Sequence, residues 1–205
     1  MFLLYAVLLG LVAGLLFGGR PGRLAEMGLR WTSLIVAGMV IQGLLYSEPV
    51  SERVAQLAPE VGPTVYVTSM VMVLAAVVRN VRIPGMALVA IGAAANLAAI
   101  VANGGYMPAS PAALGSHLPA GGGYSNSVVL SDPALAPLTD IFALPDWLPG
   151  GNVFSIGDVL IGLGIAAAIV VQMRRRSAAD ERPSMTAPTS PARCAPTTPP
   201  SGTRD

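Results

Sequence analysis

The chain is poor in charge: of its 205 residues only 11% are Asp, Glu, Lys or Arg, while 53% are hydrophobic. A water-soluble domain carries about a quarter charged residues, because they must cover its outside. The shortage excludes an ordinary soluble globule, and a mean hydropathy of +0.64 points to lipid as the solvent. Lysine is missing altogether, so all 12 basic residues are arginines. A single cysteine, Cys194, excludes an internal disulfide and any multi-cysteine metal site. A single histidine, His117, leaves no histidine-built metal centre. No metal and no cofactor is expected.

What the sequence does contain is long apolar runs. A spanning helix needs roughly 17–25 mostly apolar residues, because the hydrocarbon core is about 30 Å thick. Residues 2–18, 29–46, 61–78, 83–102 and 157–173 meet or nearly meet that length, and none has an ionisable side chain in its middle. Backbone polar groups in lipid must pair internally, which favours helices. The runs also lack the alternation of barrel strands. The expected fold is therefore all-α: a membrane bundle of about five helices over residues 1–176, with an outer loop at 103–156.

Arginine sets the expected orientation. Arg20, Arg23 and Arg30 follow the first run, Arg79 and Arg82 follow the third, and Arg174, Arg175 and Arg176 close the fifth. The intervening segments, 47–60 and 103–156, hold only Arg53, alongside Glu48, Glu52, Glu60, Asp132, Asp140 and Asp146. Positive loops stay cytoplasmic. The pattern predicts a multi-pass protein of the bacterial plasma membrane, with its N-terminus outside and its C-terminus inside.

The first run lacks the positive n-region and A-x-A site of a cleaved signal peptide and is expected to be retained. It reads Gly10-x-x-x-Gly14-x-x-x-Gly18, a small-residue ridge suited to close helix packing, within the bundle or between copies. Residues 177–205 are rich in Ala, Ser, Thr and Pro and are expected to be a disordered cytoplasmic tail. Cys194 lies there, in a reducing compartment.

The outer loop is the segment expected to carry function. Loops beyond about 15 residues are usually functional or disordered. Tyr106, Tyr124, Phe142, Trp147 and Phe154 argue for one lying at the membrane–water boundary. His117 has no visible partner, and Gly121-Gly122-Gly123 lacks the Gly-Lys-Ser/Thr of a phosphate loop and reads as a turn.

Two aspartates stand where lipid begins, Asp140 in the loop and Asp158 at the mouth of the last run. Two carboxylates brought together in poor solvent cannot both ionise, so one can hold a proton while the other activates water. Thr139-Asp140-Ile141-Phe142, then Trp147, then Phe154-Ser155-Ile156-Gly157-Asp158 and an apolar helix resemble the end of lipoprotein signal peptidase (signal peptidase II). In that family two catalytic aspartates stand in a V-D-F-like element and an F-N-x-A-D element, and Asp140 and Asp158 match them. Gly92-Ala93-Ala94-Ala95-Asn96-Leu97 resembles the start of the family's G-x-x-x-N-x-x-D-R motif. Its Asp and Arg are here Ala99 and Ile100, and Ser155 and Gly157 replace the Asn and Ala of the second element. The resemblance spans roughly 139–164. It implies a metal-independent aspartyl hydrolase with Asp140 and Asp158 as the catalytic pair. Asn96, Asn103, Tyr106, Trp147, Phe154 and Ser155 are the candidate supporting residues.

The membrane part as a whole more closely resembles an uncharacterised family of bacterial multi-pass membrane proteins, which brings no assigned activity. The leading expectation is therefore an integral membrane protein of undetermined activity, with the aspartyl hydrolase as an alternative. The residues that carry this likeness are Asn96-Leu97, Asn103-Gly104-Gly105-Tyr106-Met107-Pro108 and the stretch 140–162.

Bland readings stand beside these. Ser155-Ile156-Gly157-Asp158 has capping-box spacing, so Asp158 has a purely structural use at a helix start. Gln42, Thr68, Ser69 and Asn96 within the runs suit a small transporter or channel subunit, or simple bonds between helices. A scaffold acting through its loop or tail is a third class. The expected partners are the bilayer and a membrane-embedded peptide or another membrane protein, with no nucleic acid, since the arginines sit against the membrane.

Overall fold

Each apolar run folds as a helix, and close backbone packing decides which helices are neighbours. The computed structural model describes residues 2–114, 126–145, 147–148 and 153–175. Helix α1 is Phe2–Leu16, α2 Thr32–Leu45, α3 Glu48–Leu57, α4 Val61–Arg79, α5 Met86–Ala102, α6 Pro111–Leu114 and α7 Ile156–Arg174. Among the described residues, four strands of two residues each lie between α5 and α7: β1 Met107–Pro108, β2 Ser127–Val128, β3 Phe142–Ala143 and β4 Val153–Phe154. The expected tail from residue 177, Cys194, His117, Tyr124, Asp146 and the triglycine turn lie outside the described residues.

The helices pack in the order α1–α7–α5–α4–α2. Small residues make the seams. A methyl placed on Gly10 of α1 would come within 2.9 Å of the Ala166 backbone, and one on Gly38 of α2 within 3.0 Å of the Ser69 carbonyl. On α7, a methyl on Gly164 would meet the Val89 nitrogen of α5 at 2.8 Å. Backbones this close gain dispersion contacts that larger side chains would prevent. Of the glycine ridge that starts in α1, Gly10 and Gly14 thus face α7, against Ala166 and Met173, whereas Gly18, past the end of the helix, faces open space.

The expected runs agree with the helices to within a few residues. Among the described residues α4 and α7, at 19 residues each, are long and apolar enough to cross a membrane. The bent pair α2 and α3 passes the same test if taken as one broken span. α1 and α5 are apolar but shorter, at 15 and 17 residues. α5 starts later than its apolar run because Gly85 takes a left-handed φ of 87° ahead of it. The reading of residues 47–60 as a plain connection differs from the structure, where α3 leaves α2 at 73°. Its sequence is too polar to register as a span, yet Val54 at helical spacing from Val50 still packs on the core.

Two asparagines fasten loops to helix ends by the same device. Asn80, after α4, donates from Nδ2 to the carbonyls of Ala76 and Arg30, both at 2.7 Å, and its Oδ1 accepts the Arg30 N–H at 2.8 Å. Asn103, after α5, donates to Ala99 O at 2.7 Å and Ala134 O at 2.9 Å, and accepts the Ala134 N–H at 2.9 Å. Each ties up carbonyls that a helix C-terminus leaves open. The outer segment is therefore anchored on the bundle. Met107 is buried with Leu45, Tyr66, Ala99 and Ile100, and Tyr106 and Leu138 pack against that cluster.

Candidate functional site

The last helix opens with a complete capping box. Ser155 Oγ accepts the Asp158 N–H at 3.1 Å, and Asp158 Oδ2 accepts the Ser155 N–H at 3.0 Å. The structural use expected for Asp158 is therefore real. The carboxylate is not confined to it, however. Asn96 on α5 donates from Nδ2 to Asp158 Oδ1 at 2.9 Å, while Ser155 Oγ lies 2.8 Å from Asn96 Oδ1 and 3.0 Å from Asp158 Oδ2. Gly157 makes this approach possible, since a side chain there would overlap the Asn96 amide. A carboxylate offers about four lone-pair sites. The capping bonds take Oδ2, and Asn96 takes one site on Oδ1.

Asp140 reaches the same place by a different route. The chain after the 3-10 turn Ala136–Leu138 runs beside β1, where the Asp140 N–H bonds Pro108 O at 3.0 Å and Asp140 O accepts the Ser110 N–H at 2.9 Å. β1 pairs in parallel with β2 on its other side, through Met107 N to Asn126 O at 2.6 Å and Ala109 N to Val128 O at 2.8 Å. Three short extended segments thus lie side by side across the ends of α4 and α5. None is long enough to show a two-residue hydrophobic period.

Asp140 and Asp158 line one cavity of about 210 Å³, together with Tyr66, Asn96, Asn126 and Ser127. Met70, Ile100, Met107 and Val153 complete its walls. Asp140 is buried, and loss of water around its carboxyl, reinforced by the negative charge of Asp158, pushes its pKa up to about 7. Near neutral pH the cavity therefore contains a carboxyl group that still carries a proton in part of the population.

The other expected residues distribute unevenly. Asn96 and Ser155 belong to the site through their bonds to Asp158. Asn103 anchors the loop at Ala134 and does not line the cavity. Tyr106 packs against the core cluster. Phe154 is stacked between Phe2 at 4.6 Å and Phe142 at 5.4 Å, forming a wall between the outer segment and α1. Trp147 is 79% exposed and borders an apolar recess with Phe2, Tyr5 and Leu148.

Tyr66, Asn126 and Ser127 were not anticipated. Tyr66 sits in the middle of an apolar run and reads as core, yet its hydroxyl accepts from Asn126 Nδ2 at 3.2 Å at the cavity wall. Only the strand pairing brings residue 126 to helix α4, and nothing local in the sequence signals it. The polar span residues are occupied elsewhere: Gln42 Nε2 donates to Ser69 Oγ at 3.1 Å, Ser69 Oγ to Tyr66 O at 2.6 Å, and Thr68 Oγ1 to Thr64 O at 2.7 Å. Among the described residues no cluster of His, Cys, Asp and Glu could hold a metal ion.

Residues 26–170 match DUF5317, a family of unknown function, and because this is well over half of the chain, the chain belongs to that family. No curated protein and no solved structure matches the chain.

Proposed function

We propose that this DUF5317 member is a multi-pass protein of the bacterial plasma membrane, N-terminus outside and C-terminus cytoplasmic, whose outer-face cavity is a metal-independent aspartyl hydrolase site. The observation that carries the reading is the pairing of Asp140, held near pKa 7, with Asp158 in one polar cavity. A proton-holding acid beside a hydrogen-bonded carboxylate is the arrangement that acid–base hydrolysis by two aspartates requires.

The orientation has support from packing. The arginine-bearing segments gather at one end of the bundle: the Arg20 N–H bonds Met173 O at 2.9 Å, Gln172 donates to Arg23 O at 3.0 Å, and Arg30 is clamped by Asn80. Asp158 begins the helix that ends at Arg174, so the cavity lies at the opposite end. With positive segments inside, the cavity opens on the outer face. α1 and α5 complete five crossings in this reading, their shorter helices accommodated by local bilayer thinning.

The chemistry follows from the lone-pair count. Asp158 Oδ1 retains a free site and takes a proton from water, whose oxygen attacks a carbonyl carbon. The Asp140 carboxyl gives its proton to the carbonyl oxygen. The resulting diol collapses as Asp158 passes its proton to the leaving nitrogen and Asp140 recovers its own. The C–N bond breaks, one water is consumed, and both carboxyl groups return to their starting states. At about 30 Å³ per water, the cavity accommodates a handful of waters or one peptide group. This fits an extended peptide segment at the membrane surface better than a bulky side chain. Gln42 and Ser69 bond to each other and Thr68 bonds to its own helix, so these polar span residues are already occupied, which favours the hydrolase over a transporter.

The test is a comparison of peptide N-termini in membranes that carry the wild-type chain, Asp140→Asn or Asp158→Asn. Cleavage products present with wild type should fall about 10²–10⁴-fold with either variant. Identical N-termini in all three membranes dismiss the hydrolase.

A further inference from the structure

Beside the Gly10–Ala166 contact, the seam between α1 and α7 opens into an apolar groove of about 580 Å³. Leu9 and Ala13 form one wall, and Leu163, Ala167, Val170 and Val171 the other. Along α7 the lining runs from Val159 to Val171, which at 1.5 Å per residue is about 18 Å. One leaflet of hydrocarbon is about 15 Å deep. The groove thus has the length of a single acyl chain.

Its arginine end is chemically distinct. Arg174 follows Val170 by four residues and Val171 by three, so it continues the same face of α7. Phe17 likewise follows Ala13 by four. The Arg174 guanidinium lies over the Phe17 ring, 5.7 Å from its centroid, at the foot of the groove. The segment after α1 is fastened there, through the Arg20 backbone N–H to Met173 O at 2.9 Å and Arg23 Nη1 to the same carbonyl at 3.5 Å. Glu26 is the one acidic residue of segment 17–31, so the formal charge of this end is positive.

We propose that this groove and its arginine foot form a binding site for one anionic glycerophospholipid of the arginine-side leaflet, with one acyl chain along α1 and α7 and the phosphate at Arg174. A guanidinium matches a phosphate through paired N–H donors, and its planar face tolerates stacking on Phe17 at the same time. A zwitterionic headgroup would bring its own cation towards the arginines and lose that advantage. The arginine foot lies at the far end of α7 from the cavity, and the site rests on the membrane reading alone, not on hydrolysis.

The experiment uses the full chain in nanodiscs of equal parts phosphatidylglycerol and phosphatidylcholine, released into the gas phase for native mass spectrometry. The wild type should retain one phosphatidylglycerol in about fivefold excess over phosphatidylcholine, the worth of one arginine at a membrane surface. Arg174→Gln, an exposed change that leaves the groove intact, should bring the two lipids close to parity. Ala167→Phe, which fills the groove, should lower retention of both. Equal retention of the two lipids by the wild type, an unchanged ratio in Arg174→Gln, or a second copy of the chain in place of lipid overturns the site. A chain that stays in solution without detergent or lipid would overturn the membrane reading itself, which is a separate outcome.

Discussion

Asn96 and Ser155, 59 residues apart, meet at 2.8 Å between Asn96 Oδ1 and Ser155 Oγ, and both also hold Asp158. This joins the middle of α5 to the first turn of α7 and makes a helix cap part of a polar cavity. Replacing Asn96 with Ala would leave Asp158 with its capping bonds and remove the bond to Oδ1. A hydrogen bond to a charged group contributes about 1.5–3 kcal/mol. Unfolding in detergent should show Asn96→Ala destabilised by about that much, and Asn96→Asp should be worse, because it sets a second carboxylate against Asp158.

Gly157 is the position where the smallest change should do the most damage. A methyl there would overlap the Asn96 amide, so α5 and α7 must separate or Asn96 must turn away. Overpacking of this kind costs about 1–3 kcal/mol. Gly157→Ala should lower the melting temperature and also uncouple Asp158 from Asn96. A variant as stable as wild type would mean that the α5–α7 seam is looser than described.

Asp140 should make stability depend on pH. Its usual carboxyl value is 3.8, and in the folded chain it lies near 7, so between those values the folded state holds a proton that the unfolded state has released. Stability from this residue is therefore greatest below about pH 4, falls as pH rises through about 7, and is level above that. At 1.36 kcal/mol per unit the full difference approaches ~4 kcal/mol. Asp140→Asn should flatten the profile and be more stable than wild type above pH 7. Thermal melts from pH 5 to 9 test this, and parallel profiles for the two proteins would contradict it.

The paired anchors Asn80 and Asn103 should behave alike in energy and differ in place. Each makes three hydrogen bonds to backbone, so replacement by Ala should cost about 1–3 kcal/mol. Hydrogen exchange should then accelerate at the Arg30 amide in Asn80→Ala and at the Ala134 amide in Asn103→Ala, each without the other.

The sequence made the helices legible because apolar runs of this length have few other uses, and the capping box because its signal is local. α3 escaped notice because its Glu48, Glu52 and Arg53 hide a narrow apolar face. The site was half legible. Asp140, Asp158, Asn96 and Ser155 stand in short motifs, so a family resemblance could pick them out. Tyr66 looks like core, and Asn126 reaches it only through a two-residue strand pair that no periodicity announces. α1 and α5, both shorter than a full span, show where composition overstated length, since Gly85 delays the start of α5 and the turn after Leu16 ends α1.

The coupling of Asp140 to Asp158 is the central claim, and infrared difference spectroscopy of the protonated carboxyl band tests it without a substrate. The wild type should show a buried carboxyl signal at pH 5 that disappears with a midpoint near 7, is absent in Asp140→Asn, and shifts to lower pH in Asp158→Asn as the neighbouring charge is removed. A carboxyl that titrates near its ordinary value of 3.8, or one indifferent to Asp158→Asn, would contradict the paired site.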